Sequence, residues 1–253
     1  MVSLFVIQTP YNTNNTWTMA VEKRDGCLFL DVRRTDDEME RNGRIPVQQS
    51  KAMYAGRRFE LYATAPADST DSKSESAITT SDSSRRVDQE NEYCALFAVK
   101  MGGIAMAVGA EIDCFETVER ERSYVELKTA RVLRSDKDRF VFERYKLLAC
   151  WIQSFVVGTP TIVFGFRDDD FQLRKVQRFR TTDIPSFCHK HWDPQVCLQF
   201  ATSLLRWVMD QAAEGHVYEL TYRPRDHEVV LARRDAWSSF LPREAEATAS
   251  HSA

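Results

Sequence analysis

The sequence predicts an α/β protein of the α+β type, in which mixed β-sheets are flanked by helices. Three observations support this prediction. The chain has 253 residues and 43% hydrophobic content, enough for one substantial core. Short apolar runs bounded by glycine or acidic turns recur, as expected of strands, and two longer segments repeat apolar residues at helical spacing. We therefore expect a single domain spanning residues 1–253.

The first half of the chain contains a helical segment, then a polar stretch, then strands. The helical segment covers about 46–62 and ends in GRRFELY. Residues 63–92, approximately, are rich in Ser, Thr, Asp and Glu and have hardly any large apolar side chain, so we expect a disordered surface loop. The last residues, about 243–253, are expected to form a frayed tail.

Three strands are predicted after the polar loop. YCALFAVKM and IAMAVGAEIDC are separated by Gly102 and Gly103, a dipeptide suited to the positive φ angles of a tight hairpin turn. The near-continuous apolar character of the second run predicts burial on both faces. SYVELKT is the third strand.

The second half of the chain predicts two further helices and two strand pairs. Apolar residues recur at helical spacing from about 138 to 156, and GTP ends that helix. TIVFGF and LRKVQRF form a hairpin across RDDD. Asp193 and Pro194 begin a helix that runs to Gly215, before the strands VYELTYR and EVVLARR.

Composition limits the classes of function. Lys and Arg number 34 against 37 Asp and Glu, so a nucleic-acid site must be local rather than a broad basic surface. The six cysteines form no CxxC pair, which favours free thiols and a reducing compartment. No apolar run approaches the roughly 20 residues that cross a bilayer, so we expect a soluble, intracellular protein without a membrane partner.

Four charged side chains within two strand-like stretches predict a catalytic site. Because residues i and i+2 of a strand share a face, Glu111 and Asp113 are expected to project together, as are Glu126 and Lys128. Three carboxylates inside an apolar sheet repel one another and lose hydration, a cost that a divalent cation offsets. Oxygen ligands favour Mg²⁺ or Mn²⁺, and a pair of such ions can activate a water. Lys128 would then orient that water or neutralise the transition state.

A simpler interpretation of these residues remains open. E-x-D and E-x-K pairs arise often by chance on half-exposed strands, where they make cross-strand ion pairs. Lys128 could be an ordinary ion-pair partner of Glu126 or Glu111. A solvated helix position is likewise the commoner explanation for Glu60 alone.

Four ordered motifs favour the catalytic interpretation. An acidic pair on one strand followed by E-x-K on the next is the arrangement of the PD-(D/E)xK nuclease superfamily. GRRFELY, GAEIDC, YVELKT and KLLACWIQSFVVGTPTIVFGFRDDD, in this order and spacing, resemble the DXO family of decapping nucleases. That family includes the mammalian decapping exoribonuclease and the fungal proteins that bind the nuclear 5′-to-3′ exoribonuclease. The resemblance covers about residues 9–242 without the polar loop and implies a PD-(D/E)xK nuclease-like core.

The resemblance assigns roles to individual residues. It implies that two ions of Mg²⁺ or Mn²⁺ are bound by the side chains of Glu60, Glu111, Asp113 and Glu126 and by the carbonyl of Leu127. It implies catalytic roles for Glu111, Asp113, Glu126 and Lys128. It implies substrate contacts by Glu111, Lys128, Gln153, which meets the scissile phosphate, and Cys94, which lies against the 5′ nucleotide.

The resemblance also implies an activity and partners. The expected reaction is metal-dependent hydrolysis at RNA 5′ ends, removing triphosphate and incomplete or noncanonical caps including NAD, with 5′-to-3′ exonuclease activity in some members. A 5′-to-3′ exoribonuclease is the implied protein partner, and relatives imply nuclear localisation, with the cytoplasm as a second compartment. The alternative is a weak or inactive paralogue that binds RNA or stabilises an exoribonuclease. A DNA-cutting relative of the superfamily ranks last, because it would not predict WIQSFVVGTPTIVFGFRDD.

One family segment is expected to lie before Met1. Family members carry a Trp-Arg-Gly segment ahead of a TPY motif, which here is Thr9–Tyr11, and its arginine grips substrate phosphates. The sequence is therefore expected to be N-terminally shortened, either by a truncated gene model or as a shortened paralogue. Loss of such an arginine costs about 1.5–3 kcal/mol, enough to lower rates while sparing the metals.

Overall fold

The computed structural model describes residues 4–33, 46–65 and 93–241. They divide between two compact units. Of the described residues, the first unit comprises 4–33, 101–104 and 194–241, and the second comprises 46–65, 93–100 and 105–193. The predicted polar loop, apart from its first three residues, and the predicted tail lie outside the described residues. The expectation of a single domain stays a prediction.

The first unit is a four-stranded antiparallel sheet covered by a helix. Its strands are β1 (Trp17–Arg24), β2 (Cys27–Arg33), β9 (Val217–Arg223) and β10 (Glu228–Arg233), in the order β10-β9-β1-β2. Its helices are α1 (Leu4–Gln8) and α6 (Pro194–Gln211). The core of this unit lies between sheet and helices, with Trp17 stacked on Tyr222 and with Leu204 and Val208 of α6 buried against them.

The second unit contains a two-stranded hairpin and a mixed four-stranded sheet. The hairpin consists of β3 (Cys94–Met101) and β4 (Ile104–Glu111), with its tip at residues 101–104 in the first unit. The sheet has the order β5-β6-β7-β8, from β5 (Cys114–Val118), β6 (Glu121–Arg131), β7 (Thr161–Arg167) and β8 (Leu173–Arg180). The β6–β7 pair is parallel and the others are antiparallel, which confirms the predicted mixed α/β class.

Helices cover both faces of this mixed sheet. Helix α2 (Val47–Ala63) lies on one face, where Phe59 packs with Val125, Leu127 and Val163. The other face carries α3 (Asp136–Val141), a π-helical turn (Phe142–Lys146) and α4 (Leu147–Val157). Phe142 packs there against Phe164 of β7. A short helix, α5 (Ile184–Phe187), follows β8. Strand β7 is accordingly buried along its centre on both sides.

Individual residues explain how closely α2 packs on the sheet and where the α3–α4 helical segment begins and ends. Gly165 lets α2 approach the sheet, because a Cβ at this position would lie 2.6 Å from Cε2 of Phe59. A capping box at Ser135, whose hydroxyl accepts from the Asp138 amide, begins the α3 segment. Gly158 ends α4 in the left-handed conformation, as the GTP signal predicts.

Two predictions about the strands near the site are wrong. β4 pairs only with β3 among the described strands, and its side chains alternate between exposed and partly buried, so it is not a central strand buried on both faces. β4 also ends at Glu111, so Asp113 does not share a strand with it. The reason is a change of partner: after Ile112 the chain leaves β3, and from Cys114 it pairs with β6.

Candidate active site

The end of the β3–β4 hairpin positions Glu111. The two-residue turn at Gly102-Gly103 and the equal strand lengths put Cys94 opposite Glu111. The register continues one residue further, since the Ile112 amide donates to the Tyr93 carbonyl oxygen at 2.9 Å. Directly opposed residues of an antiparallel pair share a face. Cys94, which is exposed, therefore lies on the same face of the hairpin as Glu111.

Asp113 takes the place of a strand partner for β6. The β5–β6 ladder begins at Cys114, opposite Val125, so no residue of β5 lies beside Leu127. The Asp113 carboxylate fills this gap, because the Leu127 amide donates to Asp113 Oδ2 at 2.6 Å. In an extended strand the N–H and C=O of one residue point to the same side. The Leu127 carbonyl therefore points toward the same edge as Asp113.

Glu126 and Lys128 alternate with Leu127 and lie on the α4 face of the sheet. Their neighbours on β7 are Ile162 and Phe164, both fully buried. Glu126 is only 4% exposed, and its Oε1 lies against the Lys128 ammonium without an aligned hydrogen-bond donor. Lys128 Nζ also lies 3.6 Å from Asp113 Oδ2. One ammonium group thus faces two carboxylates.

The charge states of this pair follow from burial and proximity. Burial raises the pKa of Glu126, and Lys128 lowers it. Burial disfavours the Lys128 ammonium, but Glu126 and Asp113 together raise the pKa of Lys128. The two ordinary values, 4.5 and 10.5, are so far apart that the proton stays on Lys128 near neutral pH. The pair is therefore ionic.

Glu60 approaches the same place from α2. Burial raises its pKa to about 7, and the Asp113 and Glu111 carboxylates raise it as well, whereas Lys128 and Arg57 lower it. A carboxyl responds to charges in this way only when they lie within several ångströms. The structure therefore gathers Glu60, Glu111, Asp113 and Glu126 around Lys128.

The acids converge without forming a closed ligand cage. Within residues 4–33, 46–65 and 93–241, no three His, Cys, Asp or Glu side chains stand close enough to hold a metal ion jointly. One feature nonetheless suits a hard divalent cation, because the carboxylates of Glu60, Glu111, Asp113 and Glu126 offer only oxygen donors. The ligand assignments themselves stay predictions.

Comparison with known proteins identifies the family. A family model described as RAI1 like PD-(D/E)XK nuclease matches residues 4–246. The chain belongs to this family. It is 29% identical over 248 residues to the decapping and exoribonuclease protein of Xenopus laevis, covering 94% of this chain and 59% of the relative. It is 28% identical over 237 residues to the decapping nuclease RAI1 of Neurospora crassa, covering 88% of this chain and 57% of that protein.

Solved structures of the same family have the same fold. Rai1 of Scheffersomyces stipitis aligns with a TM-score of 0.78 and 25% identity, covering 91% of this chain and 66% of that one. Rai1 of Candida albicans, solved in complex with pU5-Mn²⁺, aligns with a TM-score of 0.77 and 25% identity, covering 92% and 67%. The chain spans about three fifths of the length of the two curated relatives.

Two other residues that the sequence connects to a RAI1-like site lie in the expected elements. Cys94 is the first residue of β3, opposite Glu111. Gln153 lies on α4 and is partly buried. Among the residues that the structure describes, no hydrogen bond joins Gln153 to any of the four carboxylates. Contacts of both residues with substrate stay predictions.

Sequence reasoning missed two cations of the RAI1-like site. Arg57 lowers the pKa of Glu60, and its buried Nη1 has no hydrogen-bond partner in the described part of the chain. Lys146, in the π-helical turn, has a pKa lowered by burial and, to a smaller extent, by Lys128. Arg57 stands within the GRRFELY motif and was visible there, whereas nothing near Lys146 in the sequence indicates that Lys128 influences it.

Proposed function

We propose that this RAI1-like chain is a divalent-metal-dependent hydrolase of RNA 5′ ends. The observation that carries the proposal is the convergence of Glu60, Glu111, Asp113 and Glu126 around Lys128, in a chain whose curated relatives are named decapping nucleases. These groups come from helix α2, the end of β4, the residue before β5 and the middle of β6. Such a cluster of like charges is costly for stability and is typical of a catalytic site.

The residues proposed to hold Mg²⁺ or Mn²⁺, as one ion or two, are Glu60, Glu111, Asp113, Glu126 and the Leu127 carbonyl. A bound ion of this kind stabilises charge on a phosphoryl oxygen and lowers the pKa of a water. Support comes from the oxygen donors described above and from the Candida albicans Rai1 structure, whose complex contains Mn²⁺.

The chain's own cationic and polar groups would bind and orient the substrate. Lys128 carries a positive charge beside Asp113 and Glu126, where it can attract a phosphate and neutralise the charge that develops during hydrolysis. Gln153 is proposed to hydrogen-bond the scissile phosphate from α4, and Cys94 to lie against the 5′ nucleotide. The preferred 5′ structures are proposed to be triphosphate, incomplete caps and NAD, in the nucleus, with an exoribonuclease as protein partner.

The test is hydrolysis of defined RNA 5′ ends. RNA carrying 5′ triphosphate, an unmethylated cap or NAD is incubated with Mn²⁺ and the purified chain, and the released products are separated by chromatography. Glu111→Ala and Asp113→Ala are expected to lower turnover by about 100-fold or more. Glu121→Ala, which changes an exposed glutamate at the start of β6, is the matched control and should retain full turnover.

Either of two results would reject the enzyme. One is no product from any of the three substrates, and the other is equal product from the two site variants and the parent chain. RNA binding that survives without turnover would favour the alternative, a binding protein of the same family.

A further inference from the structure

Helix α2 forms one wall of a cavity that the proposed reaction does not use. The cavity has a volume of about 760 Å³ and lies between α2 and the end of the β7–β8 hairpin. We call it the α2 groove. Its walls are Lys51, Tyr54, Arg58 and Tyr62 on the helix, and Arg167 and Phe171 on the hairpin.

The helical wall of the α2 groove alternates cations and aromatic rings. Lys51, Tyr54, Arg58 and Tyr62 are spaced by three, four and four residues, so they form one stripe along α2. Tyr54 is 57% exposed and Tyr62 is 50% exposed. Arg58 lies 4.7 Å from the centre of the Tyr62 ring and donates to its hydroxyl oxygen at 2.8 Å. These contacts hold the Tyr62 ring in place while leaving half of the side chain open to solvent.

The hairpin wall offers a second platform of the same kind. The Arg167 guanidinium lies 4.4 Å from the centre of the Phe171 ring. Arg167 Nε is buried, and no group in the described residues accepts a hydrogen bond from it. Phe171 has a φ of 63°, a conformation that is costly for an aromatic residue and that places its ring at the groove.

The electrostatics of the α2 groove favour an anion. Of the residues that the structure describes, the ones lining the cavity include three cations and no carboxylate. Nearby acids are already paired: Asp169 with Arg131 and Arg134, and Asp168 with Arg174. Burial and the neighbouring Arg131 both disfavour the charge of Arg167. A phosphate at this wall would therefore be stabilised.

We propose that the α2 groove binds a single-stranded segment of RNA by stacking bases on Tyr54, Tyr62 and Phe171 and pairing phosphates with Lys51 and Arg167. Proteins bind single-stranded nucleic acids with this combination, in which aromatic rings stack on the bases and cations pair with the phosphates. The stripe spans twelve residues, from Lys51 to Tyr62, or about 16 Å along the helix, enough for several stacked nucleotides. A membrane surface would instead call for a continuous apolar face, which the alternation of Lys51, Tyr54 and Arg58 does not provide.

The position of the bound segment within the RNA follows from the proposed function, on which this inference rests. Glu60 and Arg58 flank the buried Phe59, so the carboxylates and the α2 groove lie on opposite sides of the same helix. An RNA whose 5′ end lies at the carboxylates must cross α2, about 10 Å wide, to reach the groove. The groove therefore binds nucleotides several positions downstream of the 5′ end and favours long RNA over short.

Binding is measured without the reaction. A fluorescent oligouridine of about ten nucleotides with a 5′ hydroxyl is titrated with the chain in chelator, and fluorescence anisotropy gives Kd at several salt concentrations. Tyr54→Ala and Tyr62→Ala are each expected to weaken binding by roughly fivefold or more, and Tyr54→Phe to retain it, because stacking needs the ring and not the hydroxyl. Lys51→Gln is expected to reduce the slope of log Kd against log salt by about 0.7.

Matched controls and a short substrate separate this proposal from the proposed function. Lys190→Gln, which removes an exposed lysine outside the groove, should weaken binding less than Lys51→Gln. Equal affinity in all groove variants, or equal loss in Tyr54→Phe and Tyr54→Ala, overturns the groove. A 5′-triphosphate dinucleotide, too short to reach the groove, should be hydrolysed equally by parent and groove variants. If the dinucleotide is hydrolysed and the groove variants bind long RNA as tightly as the parent does, only the groove proposal is rejected. If the groove variants lose binding and no substrate is hydrolysed, only the proposed enzymatic function is rejected.

Discussion

Glu126 is the residue whose burial determines the electrostatics of the candidate active site. Its carboxylate is almost inaccessible and depends on the Lys128 ammonium for compensation. Asp113 shares that ammonium, and its carboxylate also holds the Leu127 amide. A buried charge left without its partner costs several kcal/mol, whereas removal of both charges costs much less. Comparison of a single variant with a double variant should therefore separate the cost of an unpaired Glu126 charge from the cost of losing both charges.

Lys128→Met is expected to lower the free energy of unfolding by about 2–4 kcal/mol, because it leaves Glu126 buried and unpaired. The double variant Lys128→Met/Glu126→Gln should regain most of that loss but remain inactive on RNA 5′ ends. Urea denaturation followed by circular dichroism measures the first effect, and the hydrolysis assay the second. Equal destabilisation by the single and double variants would show that the ion pair contributes little.

Glu60 predicts the pH dependence of stability in the absence of divalent metal. Its pKa is raised from 4.5 to about 7, so between these values the folded chain holds a proton that the unfolded chain has released. The free energy of unfolding should therefore decrease as pH rises from 4.5 to 7. Because Glu60 is only half-buried, we expect a contribution of about 1 kcal/mol, reduced by solvent screening.

Glu60→Gln removes this titration. Urea denaturation in chelator at pH 5 and pH 8 should show a smaller decrease in stability for the variant than for the parent chain. Glu121→Gln, on the exposed start of β6, serves as the control and should behave as the parent does. An unchanged pH dependence in Glu60→Gln would mean that burial and the neighbouring carboxylates do not raise the pKa of Glu60.

At the scale of elements, the packing of the β3–β4 hairpin tip depends more on Gly102 than on Gly103. Gly102 and Gly103 both have positive φ, 56° and 87°. A Cβ on Gly102 would lie 2.2 Å from Thr202 Cγ2, whereas a Cβ on Gly103 would meet nothing within 4 Å. Arg206 of α6 also donates to the Gly102 carbonyl oxygen. The tip of the hairpin is therefore closely packed on one side only.

Gly103→Ala is expected to cost about 1 kcal/mol for its backbone conformation, and Gly102→Ala about 1–3 kcal/mol more because of the clash with Thr202. Thr202→Ser removes Cγ2, so the double variant Gly102→Ala/Thr202→Ser should recover part of the additional loss. Thermal denaturation of the four proteins provides the comparison. Equal Tm values for the two alanine variants would contradict the packing argument.

The sequence predicted element type better than strand pairing. Helical spacing and the GTP signal at Gly158 are local properties, so the helix over 147–157 could be placed within the predicted segment of about 138–156. The pairing of β4 could not, because apolar residues in IAMAVGAEIDC do not reveal whether a second strand lies beside them. β5 was missed for the opposite reason: CFETV is short and half-exposed and gives little pattern of its own.

The candidate site shows the same division. Glu111, Asp113, Glu126 and Lys128 could be grouped from spacing, although the assumed strand for Asp113 was wrong. Glu60 required the resemblance of GRRFELY to a family motif, because a glutamate on a helix is unremarkable by itself. Arg57 stands in GRRFELY, but its effect on Glu60 could not be inferred, because it depends on how α2 packs. Lys146 gave no signal in the sequence, because its proximity to Lys128 depends on how the π-helical turn packs.

At the scale of the whole molecule, the described residues form two compact units, while the sequence predicts one domain. Buried thiols offer a means of deciding between independent and joint unfolding. Cys197 lies in the first unit, and Cys150 and Cys188 lie in the second; all three are buried and none is in a disulfide bond. Burial raises the pKa of Cys150 to about 11 and of Cys188 to about 12, so both stay protonated and unreactive while folded.

Thiol labelling in increasing urea should expose Cys150, Cys188 and Cys197 at one common midpoint if the chain is a single cooperative domain. Brief pulses of a maleimide reagent, followed by peptide mass spectrometry, give the labelled fraction at each site. Cys27 and Cys94 are exposed and serve as internal controls that react without denaturant. Separate midpoints for Cys197 and Cys150 would show that the units unfold independently, and the single-domain prediction would then be wrong.

No helix within residues 4–33, 46–65 and 93–241 is long and apolar enough to cross a membrane. The formal charge of −3 gives the chain no net electrostatic attraction to RNA. Any selectivity for RNA must therefore arise locally, at the carboxylates and along α2. High salt should weaken such binding less steeply than it weakens binding to a strongly basic protein.

The amide proton of Leu127 is a built-in spectroscopic reporter. The Leu127 amide donates to the side-chain carboxylate of Asp113, whereas Val125, two residues earlier, pairs with Cys114 of strand β5. Protonation of Asp113, or binding of a cation to it, should shift the amide resonance of Leu127 in a nuclear magnetic resonance spectrum. The amide resonance of Val125 should hardly move. Two backbone resonances, two residues apart, would then follow the chemistry of the acidic cluster without any label or substrate.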